Sequence, residues 1–447
     1  MYKLEFTLKQ HTPLIHFQHD QAGATLRATE VKPKLDFFIM KKLLNDPDIP
    51  DHKIRDEFFK IATTKISDGT DHPWKNLLVG KGNNEHVAFD YKLLLISKDK
   101  SPQEDLKIKL ITDADKSSIK SSQILFSLRC IDNDFIGFIR KNITEFFIFN
   151  NFGNRQSKGF GCFYPDFLDS WDQVKKELVK SDFISFVSNE QLHPGNLQSK
   201  TKDGVSTFPF YDLVSKKWRI LKSGINLYDR AGVQTDYQKS LLFKYLNNKE
   251  IRWDKRWIKR HLKKLIDSGA LSADFLTSGS ALNEPNDCCD FMMDVNDDEG
   301  YNGWLDNPTV NYDYRFGRAM LGLAEHYEFR AKKQYIYKVS VKNTNGVERF
   351  KAPITFKIYE NHLFAICNPI PQRLYDEEFS FEVQQKQKQG DKIVDIGKPI
   401  VFKTEDEQVD ILKTPVNSEE FGLEEFLIEF FNGVGFQQLL TTNMNKL

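Results

Sequence analysis

Asn151-Phe152-Gly153-Asn154-Arg155-Gln156-Ser157-Lys158-Gly159-Phe160-Gly161 is the stretch from which the rest of the sequence is read. It follows the apolar run Ile143 to Phe149. Three glycines within nine residues permit positive φ and close approach of backbone to a ligand. Arg155 and Lys158 lie between them and supply positive charge. Phe152 and Phe160 can pin the loop down or stack on a base. Exposed amides, two cations and aromatic rings together suit a sugar–phosphate backbone. The spacing fits neither a Walker loop nor the dinucleotide fingerprint. An ordinary glycine turn between two strands is the plain alternative.

Working outward, Tyr2 to Leu8 alternates as a strand does, with Tyr2, Leu4, Phe6 and Leu8 on one side. Leu35, Phe38, Ile39 and Leu43 then recur at helical spacing, with Pro33 expected in the first turn. Ala88 to Ile96 and Ile124 to Cys130 read as strands, and Phe135 to Phe149 as a helix leading into the glycine loop. That order implies a split βαβ, ferredoxin-like unit. Beyond it, Trp171 to Val179 reads as a helix, Thr207 to Tyr211 and Lys217 to Leu221 as strands, and Tyr314 to His326 as a helix. Tyr335 to Val341, Ile354 to Tyr359 and His362 to Ile366 read as strands. Gln384 to Gln389 looks like a polar linker, and Glu419 to Leu440 like an amphipathic helix.

The 447 residues allow about two or three domains, and 40% hydrophobic content allows a sizeable core. Sixty-three basic residues balance 63 acidic ones, so any nucleic-acid surface must be a local patch. Five cysteines fit no zinc template, and free thiols in a reducing compartment are expected. No signal peptide and no membrane-spanning run is evident, which implies a cytoplasmic protein.

Four further features carry chemistry. Arg27 and Lys32 sit at a helix entry, where a helix N-terminus favours anions. The segment from Arg252 through Lys255, Arg256, Lys259 and Arg260 interleaves cations with Trp253 and Trp257 and reads as an RNA or partner surface, or as a solvated helix face. His16 and His19 could serve as acid and base in RNA cleavage, but no ligand or catalytic set is completed at a recognised spacing. The acidic stretch Asp294 to Gly300, within segment 284–299, fails the calcium-loop template, with Glu299 at the sixth position and Leu305 at the twelfth. No metal and no cofactor is expected.

The chain resembles the RAMP superfamily of RNA-binding proteins in CRISPR effectors, and within it subunit one of the type III-B (Cmr) complex. Leu8-Lys9-Gln10-His11-Thr12-Pro13-Leu14 is similar to the family's opening strand and turn. Leu26-Arg27-Ala28-Thr29-Glu30-Val31-Lys32 is similar to its helix entry, and the glycine loop to its Gly-x-Arg-x-(Arg/Lys)-Gly-Phe-Gly block. Arg318-Ala319-Met320-Leu321-Gly322-Leu323 and Arg349-Phe350-Lys351-Ala352-Pro353-Ile354 are similar to paired second-half blocks. The sequence departs from the family at Pro33, where glycine is usual, and at Asp36, where arginine is frequent.

The resemblance implies an α+β protein of tandem ferredoxin-like (RRM-like) RAMP domains, with a helical insertion in the second. Residues 1–165 would form the first domain, 166–405 the second, and 406–447 a C-terminal amphipathic helix. It also implies a non-catalytic subunit in antiviral defence, which binds near the guide RNA 3′ end and helps capture target RNA beside other Cmr subunits. RNA would be met by Arg27, Lys32, Gly153, Arg155, Lys158, Gly159, Phe160 and Gly161, and RNA or a partner by Arg318 with the cations from Arg252 to Arg260. The alternatives are a metal-independent RAMP endoribonuclease using His16 or His19, and a protein-docking scaffold.

Overall fold

The computed structural model describes the chain apart from residues 16–24, 47–48, 50–52, 66–72, 80–86, 99–105, 109–115, 120–122, 182, 198–199, 203–204, 229–233, 272–311, 324–325, 332–334, 344–349, 351, 390–391, 405 and 440–447. The architecture is mixed α+β, with several antiparallel sheets. The chain divides into two compact units. One holds Met1–Val214, Thr355–Cys367 and Phe436–Leu447; the other holds Ser215–Ile354 and Asn368–Gly435.

The first sheet follows from alternation. In strand β1 (Tyr2–Gln10), Leu4, Phe6 and Leu8 point into the core. Strands β2 (Lys92–Ser97), β3 (Gln123–Cys130) and β4 (Phe163–Pro165) complete it in the order β2-β3-β1-β4, each neighbour antiparallel. Helices α1 (Ala28–Leu44) and α2 (Ile54–Thr63) lie in chain order between β1 and β2. Helix α3 (Asn133–Phe149) lies between β3 and β4, and the Asp132 carboxylate caps it by accepting the Phe135 amide at 2.8 Å.

Phe135, Ile139, Phe146 and Phe147 of α3 join Val31, Leu35 and Ile39 of α1 in one core with the sheet. Each such side chain contributes about 1.5–3 kcal/mol on burial, so this face fixes the unit. Pro33 is the sixth residue of α1 rather than a first-turn residue. It has no amide to return to the Thr29 carbonyl, and surrounding packing keeps the helix continuous across it.

A second sheet joins β5 (Ile184–Ser188), β6 (Ile354–Tyr359), β7 (His362–Cys367) and β8 (Phe436–Gln438) in the order β6-β7-β5-β8. Both sheets thus place their first strand between the third and the fourth. Helix α4 (Trp171–Lys180) contributes Val174 and Leu178 to a small core with Tyr164, Tyr359 and Phe364.

Four expectations are overturned here. Residues 207–221 do not form two strands: Pro209–Lys222 is one helix, α5, burying Phe210, Val214 and Leu221. Proline suits its first position, which needs no amide hydrogen bond. Among the described residues of the expected helix 314–326, only Gly317–Met320 is helical. Gln384 to Gln389 is no linker; it belongs to the strand Glu378–Gln389, paired on both sides in the second unit's main sheet. The expected tail helix is confined to Leu423–Phe430, followed by a short 3-10 turn ending at Gly435, whose φ is 78°. The acidic segment 284–299 lies outside the described residues.

Candidate functional site

The glycine loop is closed on itself and on the segment after β1. The Gly161 amide donates to the Pro13 carbonyl at 2.9 Å, and the Phe152 amide to the Gly161 carbonyl at 3.0 Å. The Asn154 amide donates to Ile15 at 2.7 Å, and the Gly153 amide to the Glu30 carboxylate of α1. Gly153, Gly159 and Gly161 all have positive φ, and so does Arg155 at 55°. A Cβ at Gly161 would overlap the Phe152 carbonyl. Glycine is therefore required there by local packing, whatever binds.

These bonds change the roles expected of the loop. The amides of Gly153 and Gly161 are committed inside the protein, and the Gly159 amide makes a long 3.4 Å contact to the Gln156 carbonyl. Phe152 is buried against Phe146, Phe147 and Phe163, and Phe160 against Phe208, Phe210 and Tyr211. Phe160 is thus a hydrophobic anchor and has no open face for a base. The loop's chemistry rests on its cations.

Arg155 is half-buried. It donates from Nη1 to the Tyr211 hydroxyl at 2.7 Å, with its guanidinium 5.6 Å from that ring's centre. Lys158 is half-buried as a residue but its ammonium is enclosed, and its backbone bridges to Phe356 of β6. Two lysines that sequence reasoning missed complete the frame. Lys34 of α1 donates to the Asn151 carbonyl at 2.6 Å and to Gln156 at 2.8 Å. Lys357, fully buried, donates to the Phe147 and Asn150 carbonyls and so caps α3, where a helix C-terminus favours positive charge. Lys34 was legible only as a helix surface residue, and Lys357 sits in a strand whose six residues are all buried.

Arg27 is the N-cap residue of α1 and half-buried. Lys32 is engaged internally: it pairs with Asp36 at 3.1 Å, donates to the Phe89 carbonyl at 2.6 Å and lies 3.7 Å from the Tyr91 ring centre. His16 and His19 lie outside the described residues.

With this geometry in hand, comparison with family models gives two matches. A model of the Cmr1 N-terminal domain matches residues 1–225, and a model of the Cmr1 C-terminal domain matches residues 237–446. The chain belongs to the Cmr1 family. It is accordingly a subunit of a type III-B CRISPR complex. A search of the curated proteins found no match. Among the described residues of this Cmr1-family chain, no helix is long and apolar enough to cross a membrane.

The second unit of the Cmr1-family chain holds the basic helix α7 (Asp254–Asp267), packed near α6 (Leu241–Asn248). Sequence reasoning made its cations an exterior. Instead Lys255, Arg256 and Lys259 are buried, as is Arg318 of the short helix Gly317–Met320; only Arg252 and Arg260 of the group remain half-exposed. Long aliphatic stems let such residues pack like apolar ones. Arg318 donates to the fully buried Asp254 carboxylate and lies 3.9 Å from the Tyr327 ring centre. Arg256 lies 5.7 Å from Phe243. On the far side of α7, His261 bonds Asp410 at 2.8 Å.

Lys222 of α5 enters the same region and donates to the Gly322 carbonyl. Burial, with Arg318 nearby, lowers its pKa from the ordinary 10.5 to about 7. Between those values the unfolded chain holds a proton that the folded chain does not. Stability is therefore expected to rise as pH increases from about 7 toward 10.5, with the penalty complete below 7. Denaturant midpoints across this window should climb in the wild type and climb less in Lys222→Met. Parallel slopes for the two proteins would refute the assignment.

Proposed function

We propose that this chain is a non-catalytic RNA-binding subunit of the type III-B effector, held near the guide RNA 3′ end and helping to capture target RNA. Membership of the Cmr1 family supports the assembly. The observation that carries RNA contact is the placement of the half-buried Arg155 on a loop pinned to the segment after β1, to α1 and to β6, so that its guanidinium is positioned before a ligand arrives. Such contacts fix a backbone without reading sequence, and guide–target pairing supplies the specificity. The strand order 2-3-1-4, present in both four-stranded sheets, supports tandem ferredoxin-like domains, the second interrupted between its first two strands.

With a net charge of +0, long-range attraction to RNA is weak, and useful affinity comes from tethering beside other subunits on one guide. Arg155→Ala is the decisive variant. It spares the core, whereas reversing the half-buried Lys158 would also disturb folding. For a single strand, its log affinity against log salt should be shallower by about 0.7, the value of one phosphate contact. An unchanged slope and affinity in folded Arg155→Ala would remove the loop from the RNA site. In the assembled complex, omitting the whole subunit should weaken target capture and leave cleavage of bound target intact.

A further inference from the structure

An open cavity of about 420 Å³ lies beside α1, within the range of small-molecule sites. Thr29 and Pro33 of α1 and Leu93 of β2 line it, and Lys32, Asp36 and Arg55 supply its polar groups. The polar groups are held in place. Lys32 is fixed by Asp36, the Phe89 carbonyl and the Tyr91 ring, and Arg55 donates from Nη1 to the Val87 carbonyl at 3.1 Å. Asp36 is 2% exposed, at the floor of the cleft.

This arrangement is poor for a phosphate. The nearer cation is already neutralised by Asp36, and a carboxylate faces any anion that enters. It is well suited to a flat ring with apolar faces and an edge that both donates and accepts. A nucleobase is such a ring. Of the four RNA bases, guanine places an acceptor, O6, beside two donors, N1–H and N2–H₂, on one edge. A carboxylate accepts from such donors while a neighbouring ammonium or guanidinium donates to O6. Uracil offers a single N–H.

Resting on the RNA-binding reading above, the geometry points to a guanine-preferring base pocket formed by Lys32, Asp36 and Arg55 between α1, α2 and β2. The surrounding burial, which pushes the Asp36 carboxyl pKa upward, is consistent with a site that needs an N–H partner there. One base of a single strand enters the cleft while Arg155 holds a phosphate elsewhere on the same unit.

The test uses the full chain and two labelled RNAs, a dodecamer of uridines and the same strand with one central guanosine. Wild type should bind the second about tenfold tighter, the size of one good bidentate base contact. Thr29→Trp, at an exposed rim position, should fill the mouth and erase that difference while leaving the all-uridine affinity unchanged. Asp36→Asn should also erase it. Equal binding of both RNAs by wild type, or a preference that survives in Thr29→Trp, overturns the pocket and leaves the RNA-binding reading intact. Failure of both RNAs to bind even at low salt and high protein concentration, where phosphate contacts are strongest, overturns that reading instead. Titration with guanosine and uridine monophosphates then decides the pocket: guanosine binding that Thr29→Trp abolishes assigns it to a free nucleotide, and no binding overturns it.

Discussion

Gly161→Ala is expected to destabilise the first unit by about 2–5 kcal/mol, combining the cost of left-handed backbone for an L-residue with that of forcing an atom into a filled space. Its φ is 67°, and the new Cβ would overlap the Phe152 carbonyl, moving the turn that holds Gly161 against Pro13. Gly159→Ala is the matched control. Its φ is 85°, but the added Cβ would meet only side chains, Ile358 at 3.6 Å and Phe210 at 3.7 Å. There only the backbone cost of about 1–2 kcal/mol applies. Urea unfolding of both variants measures the gap. Equal losses would show that the glycines serve conformation alone, and a lossless Gly161→Ala would show that the turn is not built as described.

Removing Asp254 is expected to be comparably severe, at about 3–5 kcal/mol, because it strips a fully buried carboxylate from Arg318 and from the field of Lys222. The comparison that isolates the cause is a cycle of Asp254→Leu, Arg318→Met and both together. If charge burial sets the cost, the double variant should be more stable than the sum of the single losses allows. Strict additivity would assign the cost to packing instead. Lys222→Met added to Asp254→Leu should recover part of the loss, since it removes a second buried cation.

Long elements were legible in the sequence: β1, α1, α3 and the strands near 335 and 354 all form where their apolar patterning places them. The failures have specific causes. Phe208-Pro209-Phe210-Tyr211 is rich in strand-forming aromatics, and a short window hides the four-residue spacing from Phe210 to Val214 that buries one side of α5. The strand Glu378–Gln389 ends in glutamines and lysines, which read as solvent-seeking, yet Gln385 is buried on the same side as Phe381 and Val383.

The candidate site was half legible. Glycine spacing revealed the loop and its cations, but it could not reveal that the amides are used internally. That depends on Pro13, Ile15 and Glu30, which are distant in sequence. For α7, the charge count disclosed a basic helix, while burial of its cations depends on aromatic partners such as Phe243, which lies beside Arg256.

The second four-stranded sheet has an unusual timetable. Its first strand, β5, ends at Ser188, and the next to be synthesised, β6, begins at Ile354. At about 5–20 residues per second, a ribosome takes on the order of ten seconds or more to cross that interval. Throughout it, β5 has emerged without either hydrogen-bonded neighbour, since β7 and β8 come later still. A hairpin closes in microseconds once its strands exist, so waiting, not pairing, sets the delay. An unpaired strand left open that long invites association with other chains. Slowing translation across residues 189–353 should therefore lower the soluble yield more than slowing it within the first 165 residues.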